Sequence, residues 1–459
     1  MKRVAWLAAL VACTVGPAYE QPPVAVPTGP SYKEAARAGP WRVARPSDAM
    51  LRGTWWKVFD EPELDRLMAR LDISNQNIAQ AFANFMAARA QIRAARAQYF
   101  PTVTTTPSAT HARAAGGVSS AYTLPADASW APDLFGRIRN TVRQAKHAAQ
   151  ISAADLESQR LLAQAMLATA YFQIRGQDAL QELLDATVKA DEEIAAVTRS
   201  RFETGVDTEL AAVQAEQTVQ NARVQATNAG ILRAQLEHAI ATLIGVPASS
   251  FSLPKRAHLA TAPPIPTGAP SHLLERRPDI AAAERRVASA NAAIGIATAA
   301  YFPDVTLSGR AGFASSMLST LLKWPSRVWS IGVSISDTLF DAGLRRAQVD
   351  QSIAAYNATV ASYRQTVLTA FQQVEDALAQ TSILGEEIAE QRKAVELAER
   401  AFELEKARYD SGIDPYLNLM LQQALLLAAR QTLVLLQVQQ MNSVIALVQA
   451  LGGGWERDF

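Results

Sequence analysis

The sequence predicts a mainly α-helical protein with four β-strands, built as two copies of one structural plan. Two long segments carry a coiled-coil pattern of apolar residues, which predicts helices far longer than those of ordinary globular domains. Two pairs of shorter segments alternate apolar with small polar residues, which is the period of a β-strand. Three motifs also recur in the same order in the two halves of the 459-residue chain, which indicates an internal two-fold repeat.

The N-terminus has the pattern of a secretory signal peptide that ends in a lipoprotein cleavage site. Residues 1–3 are MKR, residues 4–12 are apolar, and the only Cys of the chain follows as Cys13. The apolar run is far below the ~20 residues of a membrane-spanning helix. We expect a signal peptide over residues 1–12 and covalent diacylglycerol and palmitate on Cys13. Thr14 rather than Asp follows Cys13, which resembles the sorting signal of bacterial lipoproteins of the outer membrane. The alternative is an incidental Cys after an ordinary signal peptide.

Residues 13–54 are expected to form an extended, lipidated arm that lies on another part of the molecule. Repeated Pro residues exclude a helix and disfavour a central strand. Helical periodicity begins directly after the arm, at Trp55 and Trp56. The prolines of the arm are Pro17, Pro22, Pro23, Pro27, Pro30, Pro40 and Pro46.

Three motifs recur once each along the chain. Their order is the same in both halves, and three ordered recurrences indicate a duplicated structural unit. The pairs are YFPTVT at residues 99–104 with YFPDVT at 301–306, Leu134-Phe135 with Leu339-Phe340, and RFETGVD at 201–207 with RYDSGID at 408–414.

The recurrences define two repeats, residues 55–245 and 273–459, joined by a linker over residues 246–272. Each repeat reads as a helix, two strands, a very long helix and a further helix. The long helices are predicted over about residues 138–203 and 344–410. At 1.5 Å per residue such a helix is about 100 Å long, and no compact globular domain has that depth. We therefore expect these helices to belong to a barrel or bundle built with partner chains.

The long helix of the second repeat is predicted from a sustained apolar period of ~3.5 residues, which is typical of coiled-coil packing. Spacings of three and four alternate without a slip as far as Ile388, and Val395, Ala398 and Phe402 extend the same seam to the loop at Gly412. The seam positions, all apolar except Thr381, are Ile353, Tyr356, Val360, Tyr363, Val367, Ala370, Val374, Ala377, Thr381, Leu384, Ile388, Val395, Ala398 and Phe402.

The strands are predicted over about residues 102–131 and 304–338. They have about the ~9 to 11 residues of a strand that crosses a bilayer at a tilt. Taken in isolation, the segments fit an ordinary soluble β-layer better, and the predicted outer-membrane lipoprotein shifts the interpretation toward transmembrane strands. The apolar positions of the last strand are Trp329, Ile331, Val333 and Ile335.

Four strands cannot close a barrel, because the smallest membrane barrels have eight strands and lipid does not tolerate open sheet edges. Oligomerisation is therefore required. Two copies would give eight strands and an interior filled by side chains, whereas three copies would give twelve strands and a lumen. Strand count alone leaves both assemblies open.

The recurrent Gly motifs are predicted to form the turns of two helical hairpins. In the first hairpin Arg201 lies in the last helical turn, Gly205 suits the left-handed cap, and Asp207 suits the next N-cap. The second hairpin has Arg408, Gly412 and Asp414 at the same positions, followed by Pro415 as the first helical residue.

Composition and motifs argue against nucleic-acid binding and catalysis. The 44 Lys and Arg residues almost cancel the 43 Asp and Glu residues, so the chain has no overall basic surface. No H-E-x-x-H motif, phosphate-binding loop or uninterrupted run of ~18 apolar residues occurs. We expect no enzyme activity, no metal and no cofactor apart from the lipid on Cys13. The histidines are scattered, at His111, His147, His238, His258 and His272.

Two blocks of the sequence carry a resemblance to a known family. The first is Cys13, VGP at residues 15–17, Tyr19, Trp56 and FDEPEL at 59–64. The second is LLERRPDI at 273–280, with Ala283-Glu284, Ala290-Asn291-Ala292, Gly295 and YFP at 301–303. The chain resembles the TolC-like outer membrane factors, in the lipoprotein subgroup often called NodT-like, over essentially its whole length. The resemblance implies a homotrimer in which a twelve-stranded outer-membrane barrel continues as a twelve-helix barrel across the periplasm.

The resemblance implies the outer-membrane channel of a tripartite efflux pump, which passively conducts drugs or other small molecules to the exterior. The implied partners are a periplasmic adaptor and an inner-membrane transporter, usually of the proton-driven multidrug type. The outer channel of a type I protein secretion or metal efflux system is the alternative within transport. A non-conducting trimeric coiled-coil lipoprotein scaffold would explain the heptads but not the strand pairs. The third class of protein, a soluble periplasmic enzyme, would be a monomer with clustered ionisable groups in a pocket.

In this family the two hairpins form the periplasmic tip, where the tube closes and the adaptor docks. The resemblance places Leu421 where many members carry an inward Asp, so we expect Leu417 and Leu421 to form an apolar gate. Asp410 and Asp414 are candidates to supply negative charge near this gate. The alternative is that both are solvent-exposed residues that only cap the helices. The residues assigned to the tip and to adaptor contact are Arg201, Gly205, Asp207, Arg408, Gly412 and Asp414.

Overall fold

The computed structural model describes residues 14–24, 53–114, 117–257, 259–263 and 277–453. Cys13, the expected signal peptide, most of the expected arm, His258 and His272 lie outside the described residues. The chain divides into two compact units. The described part of the first unit is residues 14–24, 83–154 and 282–366, and that of the second is residues 53–82, 155–281 and 367–453 without the gaps given above.

Helices account for most of the described chain. The expected long helices are confirmed as α3 and α6, each 67 residues long, and each is followed by a helix of 35 residues, α4 or α7. A 3₁₀ turn at Trp55–Phe59 precedes the first helix. The helices are α1 Pro62–Ser74, α2 Gln76–Ala97, α3 Arg137–Glu203, α4 Glu209–Leu243, α5 Pro278–Ala299, α6 Leu344–Asp410 and α7 Tyr416–Ala450.

The first unit contains one antiparallel sheet in the order β1-β3-β4-β5, and β2 also pairs with β3. The expectation of four strands is wrong, because the first strand is interrupted between Thr104 and Ser108. Pro107 in this gap has no N–H group to donate to the ladder, and Thr105 Oγ1 instead donates to the Pro125 carbonyl oxygen at 2.7 Å. The strands are β1 Thr102–Thr104, β2 Ser108–Ala114, β3 Gly117–Trp130, β4 Asp304–Ser315 and β5 Arg327–Ser336.

The two faces of this sheet differ as the alternation predicts. The register pairs Val305 with Ile335, Leu307 with Val333, and Ala311 with Trp329, so apolar side chains share one face. On the opposite face Arg310 Nε donates to Asp127 Oδ1 at 2.6 Å, and small polar residues surround this pair in the register. The apolar side chains of β5 are strongly exposed in the single chain: Trp329 76%, Ile331 82%, Val333 66% and Ile335 69%.

Residues 14–24, the described part of the expected arm, form no helix or strand and lie on helices of the first unit. Asn140 Nδ2 donates to the Val15 carbonyl oxygen at 3.2 Å, and Asn291 Nδ2 donates to that of Pro17 at 3.0 Å. The Tyr19 hydroxyl donates to the buried Glu284 carboxylate. Side-chain amides thus donate hydrogen bonds to carbonyl oxygens of the arm that have no partner in a helix or a strand.

The core of the second unit lies around Trp55, Phe59, Tyr171 and Phe172. A buried polar network borders it, in which Asp178 accepts hydrogen bonds from Arg175 Nη1 at 3.0 Å and Arg233 Nε at 2.6 Å. Arg175 and Asp178 belong to α3 and Arg233 to α4, so the network links the two helices through one buried carboxylate.

Among the described residues, one helix, α7, is long and apolar enough to span a membrane by length and composition, with a mean hydropathy of 1.5. No such helix is expected from the sequence, because polar residues interrupt every apolar run in α7 well before the ~18 residues of a membrane span. A single helix of this kind is weak support for a membrane span, since a helix that packs on several sides has the same composition.

Candidate functional site

The turns of the two helical hairpins, α3–α4 and α6–α7, have the same backbone geometry. Gly205 and Gly412 have φ of 78° and 75°, which confirms the left-handed caps. The Val206 N–H donates to the Arg201 carbonyl oxygen at 2.8 Å, and the Ile413 N–H donates to that of Arg408 at 2.9 Å. Both turns are therefore Schellman caps, in which only glycine adopts the required backbone without strain.

The expected N-caps are wrong in both hairpins. In α4 the N-cap is Thr208, whose hydroxyl accepts a hydrogen bond from the Ala211 N–H at 3.2 Å. In α7 the N-cap is Pro415, without a side-chain cap, and helix α7 begins at Tyr416. The acidic residues before these caps bind side chains instead, because each lies within reach of an arginine from the preceding helix.

Tyr409 of the second hairpin is held by three residues of the first hairpin. Its hydroxyl lies 2.8 Å from Thr198 Oγ1 and donates to Asp207 Oδ2 at 3.2 Å. Arg201 lies with its guanidinium 4.6 Å from the Tyr409 ring centroid, and its Nη1 donates to the Tyr409 carbonyl oxygen at 2.9 Å. Burial raises the pKa of Tyr409, so the neutral phenol is retained as a donor. This cluster joins the two hairpins through Tyr409.

Arg408 and Asp414 form a second cluster within the α6–α7 hairpin. Arg408 Nε donates to Asp414 Oδ2, and this bond lowers the pKa of Asp414. Burial and the neighbouring Asp414 raise the pKa of Glu405. The pair Arg408–Asp414 closes the turn across Gly412, so Asp414 is a paired carboxylate and not a solvated cap.

A buried carboxylate, Asp191, connects the two hairpins further along the helices. It is 5% exposed, and Gln423 Nε2 of α7 donates to its Oδ1. Burial raises the pKa of Asp191 to about 6, and the hydrogen bond from Gln423 opposes this shift. The surrounding apolar cluster includes Ile194 and Leu419.

The gate candidates lie on one exposed stripe of α7. Leu417 and Leu421 are 48% and 51% exposed, and Leu425 continues the stripe at 60%. The three residues are spaced by about one helical turn, so they share a face. Asp410 is exposed at the end of α6, before the turn. Among the described residues, no group of three or more His, Cys, Asp and Glu side chains is arranged to hold a metal ion.

The contacts of Thr198, Tyr409, Asp191 and Gln423 are not among the features predicted from the sequence. The sequence does hint at a buried role for Asp191, because this acidic residue lies on the same helix face as Ile194, Ala195 and Thr198 and interrupts their apolar seam. Its partner Gln423 is not predictable, since the pairing joins helices that are far apart in the chain.

The chain is similar to outer-membrane proteins of efflux pumps over nearly its whole length. A family model for outer membrane efflux proteins matches residues 67–246 and 269–453. The toluene efflux pump outer membrane protein TtgC of Pseudomonas putida is 33% identical over 458 residues, covering 96% of this chain and 93% of that protein. Its name describes an outer-membrane transport component, not an enzyme.

Two solved channels share the fold. The outer-membrane channel OprN has a TM-score of 0.87 and 30% identity, covering 96% of this chain and 100% of that chain. The open state of the MtrE outer membrane channel of Neisseria gonorrhoeae has a TM-score of 0.84 and 29% identity, covering 97% and 99%. The matched family model and these similarities show that the chain belongs to the outer membrane efflux protein family.

Proposed function

We propose that the protein is the outer-membrane channel of a tripartite efflux pump, which passively conducts small organic molecules to the exterior. The observation that carries this proposal is the sheet of the first unit, with one exposed apolar face and one polar face. From Trp329 to Ile335 the apolar positions of β5 extend over ~20 Å, which suits the ~25 Å apolar band of a membrane barrel.

The active assembly is a homotrimer with a twelve-stranded barrel. A sheet with free edges is unstable in lipid, so strands from further copies must pair with the outer edge of β5 and with the opposite edge. Counting the interrupted first strand once, three copies contribute twelve strands and leave a lumen. The equal lengths of α3 and α6, and of α4 and α7, support an internal two-fold repeat.

The mature protein is anchored by lipid on Cys13. The Val15 N–H donates to the Phe135 carbonyl oxygen at 3.2 Å, and Thr14 lies directly against Gly136. These contacts hold the arm beside the segment between β3 and α3. Acyl chains on the preceding residue would then enter the membrane at the end of the strands from which the helices begin.

The hairpin turns provide the contact with the periplasmic adaptor, which links the channel to a proton-driven inner-membrane transporter. Val206 and Ile413 at the turns are each 66% exposed, and Leu210 is 65% exposed. Exposed apolar residues that form a contiguous patch mark protein-interaction sites. The Leu417 and Leu421 rings of three subunits would form an apolar constriction behind this contact.

The transported compounds are small and organic, as the name of the toluene efflux protein TtgC suggests for a relative. The test is the single-channel current of the purified full-length protein in planar bilayers, with light scattering to determine its mass. We expect a trimer with stable conductance steps. A non-conducting trimer would support a scaffold instead, and a monomer without conductance would refute the channel.

A further inference from the structure

The apolar face of the sheet carries a groove that crosses three strands. The register aligns Leu124 of β3 with Phe313 of β4 and Arg327 of β5. The next row on the same face is Ala126, Ala311 and Trp329. Because the second row begins with two alanines, a groove of about 500 Å³ forms between the rows, and all six residues line it.

The groove is apolar except for Arg327 and for Thr105, whose hydroxyl donates to the Pro125 carbonyl oxygen. Its volume is within the ~300–1,000 Å³ of small-molecule sites. Two large side chains neighbour Ala311 in the register, Phe313 along β4 and Trp329 across on β5. An acyl chain fits this shape and polarity, because the alanine floor and the Phe313 and Trp329 side chains offer it apolar contact.

Among the described residues, Arg327 has no carboxylate partner. Its guanidinium carbon lies 3.2 Å from the centroid of the Trp324 ring, so the guanidinium is held in one orientation by stacking. Stacking leaves the N–H groups at the guanidinium edge free to donate, and two parallel N–H groups match the oxygens of a phosphate.

Arg327 is the first residue of β5 and follows the loop between β4 and β5. The other end of the same strands continues into α3 and α6. The orientation of the sheet rests on the proposed function: in an outer-membrane channel the loop end lies in the outer leaflet and the helical end faces the periplasm. The outer leaflet of this membrane contains glycolipids that carry both acyl chains and phosphates.

We propose that the groove is a binding site for a phosphorylated glycolipid of the outer leaflet. One acyl chain lies across Ala126 and Ala311, and a phosphate accepts hydrogen bonds from Arg327. The site would bind lipid at the outer rim of each subunit's sheet and is separate from the hairpins and from the polar face of the sheet.

The test uses the full-length protein in detergent with purified bisphosphorylated lipid A, and native mass spectrometry measures the bound lipid. Arg327→Gln removes the cation and keeps a polar side chain, and we expect at least about tenfold weaker binding of lipid A. Ala311→Phe fills the floor of the groove and should weaken binding of the acyl chain. Arg310→Gln removes a cation from the opposite face of the neighbouring strand and should leave lipid binding unchanged.

Dephosphorylated lipid A should bind equally to the original protein and to Arg327→Gln. Equal binding of bisphosphorylated lipid A to these two proteins would overturn the site. Equally strong, Arg327-dependent binding of phosphatidylglycerol would overturn the glycolipid assignment. Conductance in bilayers is measured on the same preparations: conductance without lipid binding refutes only this inference, whereas lipid binding without conductance refutes the proposed channel.

Discussion

The hydroxyl of Tyr409, at the end of α6, donates a hydrogen bond to Asp207 Oδ2 in the turn after α3, at 3.2 Å. Tyr409 is 2% exposed, and Thr198 provides its second contact, at 2.8 Å. A rearrangement that separates the two hairpins must break both bonds. This connection therefore stabilises one arrangement of the hairpin ends.

Tyr409→Phe removes the hydroxyl and keeps the ring that packs against Arg201. We expect the hairpins to separate more readily, so single-channel conductance rises and the protein is destabilised by about 1 kcal/mol. Planar-bilayer recordings and thermal unfolding measure the two effects. Tyr356→Phe on the same helix is the control, and identical currents for both variants would refute a role of the hydroxyl in closure.

Asp191→Asn should change how stability depends on pH. Burial raises the pKa of Asp191 to about 6 from an ordinary value of 3.8, so between these values the folded protein binds more protons than the unfolded chain. Stability contributed by this group therefore falls as pH rises from about 4 to 6. The difference in melting temperature between variant and original protein should grow from about pH 4 to about pH 7, in favour of the variant.

The control for this pH effect is Glu192→Gln, which changes the adjacent carboxylate that pairs with Arg223 on the surface. Its melting temperature should follow the original protein at each pH. A constant difference between Asp191→Asn and the original protein across the same range would show that Asp191 has an ordinary pKa.

Leu421→Asp places a carboxylate on the exposed stripe of α7. If three copies of this position form the constriction, the variant should bind cations there, and added divalent cations should reduce its current. Planar-bilayer recordings in increasing divalent cation measure the effect. Leu435→Asp, which is farther along the same helix and 52% exposed in the original protein, is the control. An unchanged response of Leu421→Asp would exclude this position from the gate.

Asp178→Asn removes the carboxylate between Arg175 and Arg233. The variant leaves two cations with little solvent and without their shared partner, so we expect destabilisation of about 3 kcal/mol. Thermal and denaturant unfolding of the full-length protein measure it. Asp185→Asn, on a more exposed part of α3, should change stability by less than about 0.5 kcal/mol. Similar losses for both variants would contradict a structural role of the buried network.

Cys13→Ser should remove the lipid. The mature protein is expected to lose the mass of diacylglycerol and of one further acyl chain, which mass spectrometry of the purified protein detects. Because Cys13 is the only Cys of the chain, no other thiol can replace it. An original protein that already lacks acyl mass would refute lipidation.

Sequence periodicity predicts the long helices and the two faces of the sheet correctly, because both depend on spacing along one segment. The same reasoning fails where a residue has a choice of partners. Asp207 has a side chain suitable for an N-cap, yet Thr208 caps α4 and Asp207 binds Tyr409 from the other hairpin. Pro107 is visible in the sequence, but the five-segment sheet follows only from the observed register.

The sequence by itself determined the helices, the left-handed turns at Gly205 and Gly412, the alternating strands and the family, since each is encoded in local spacing or in motifs. The tertiary structure alone decided that Tyr409 joins Thr198 and Asp207, that Asp191 pairs with Gln423, and that Arg327 lies beside an alanine-floored groove. These relations join segments that are distant in the chain. Hydrogen bonds and packing between such segments depend on relative positions in space, which no single segment specifies.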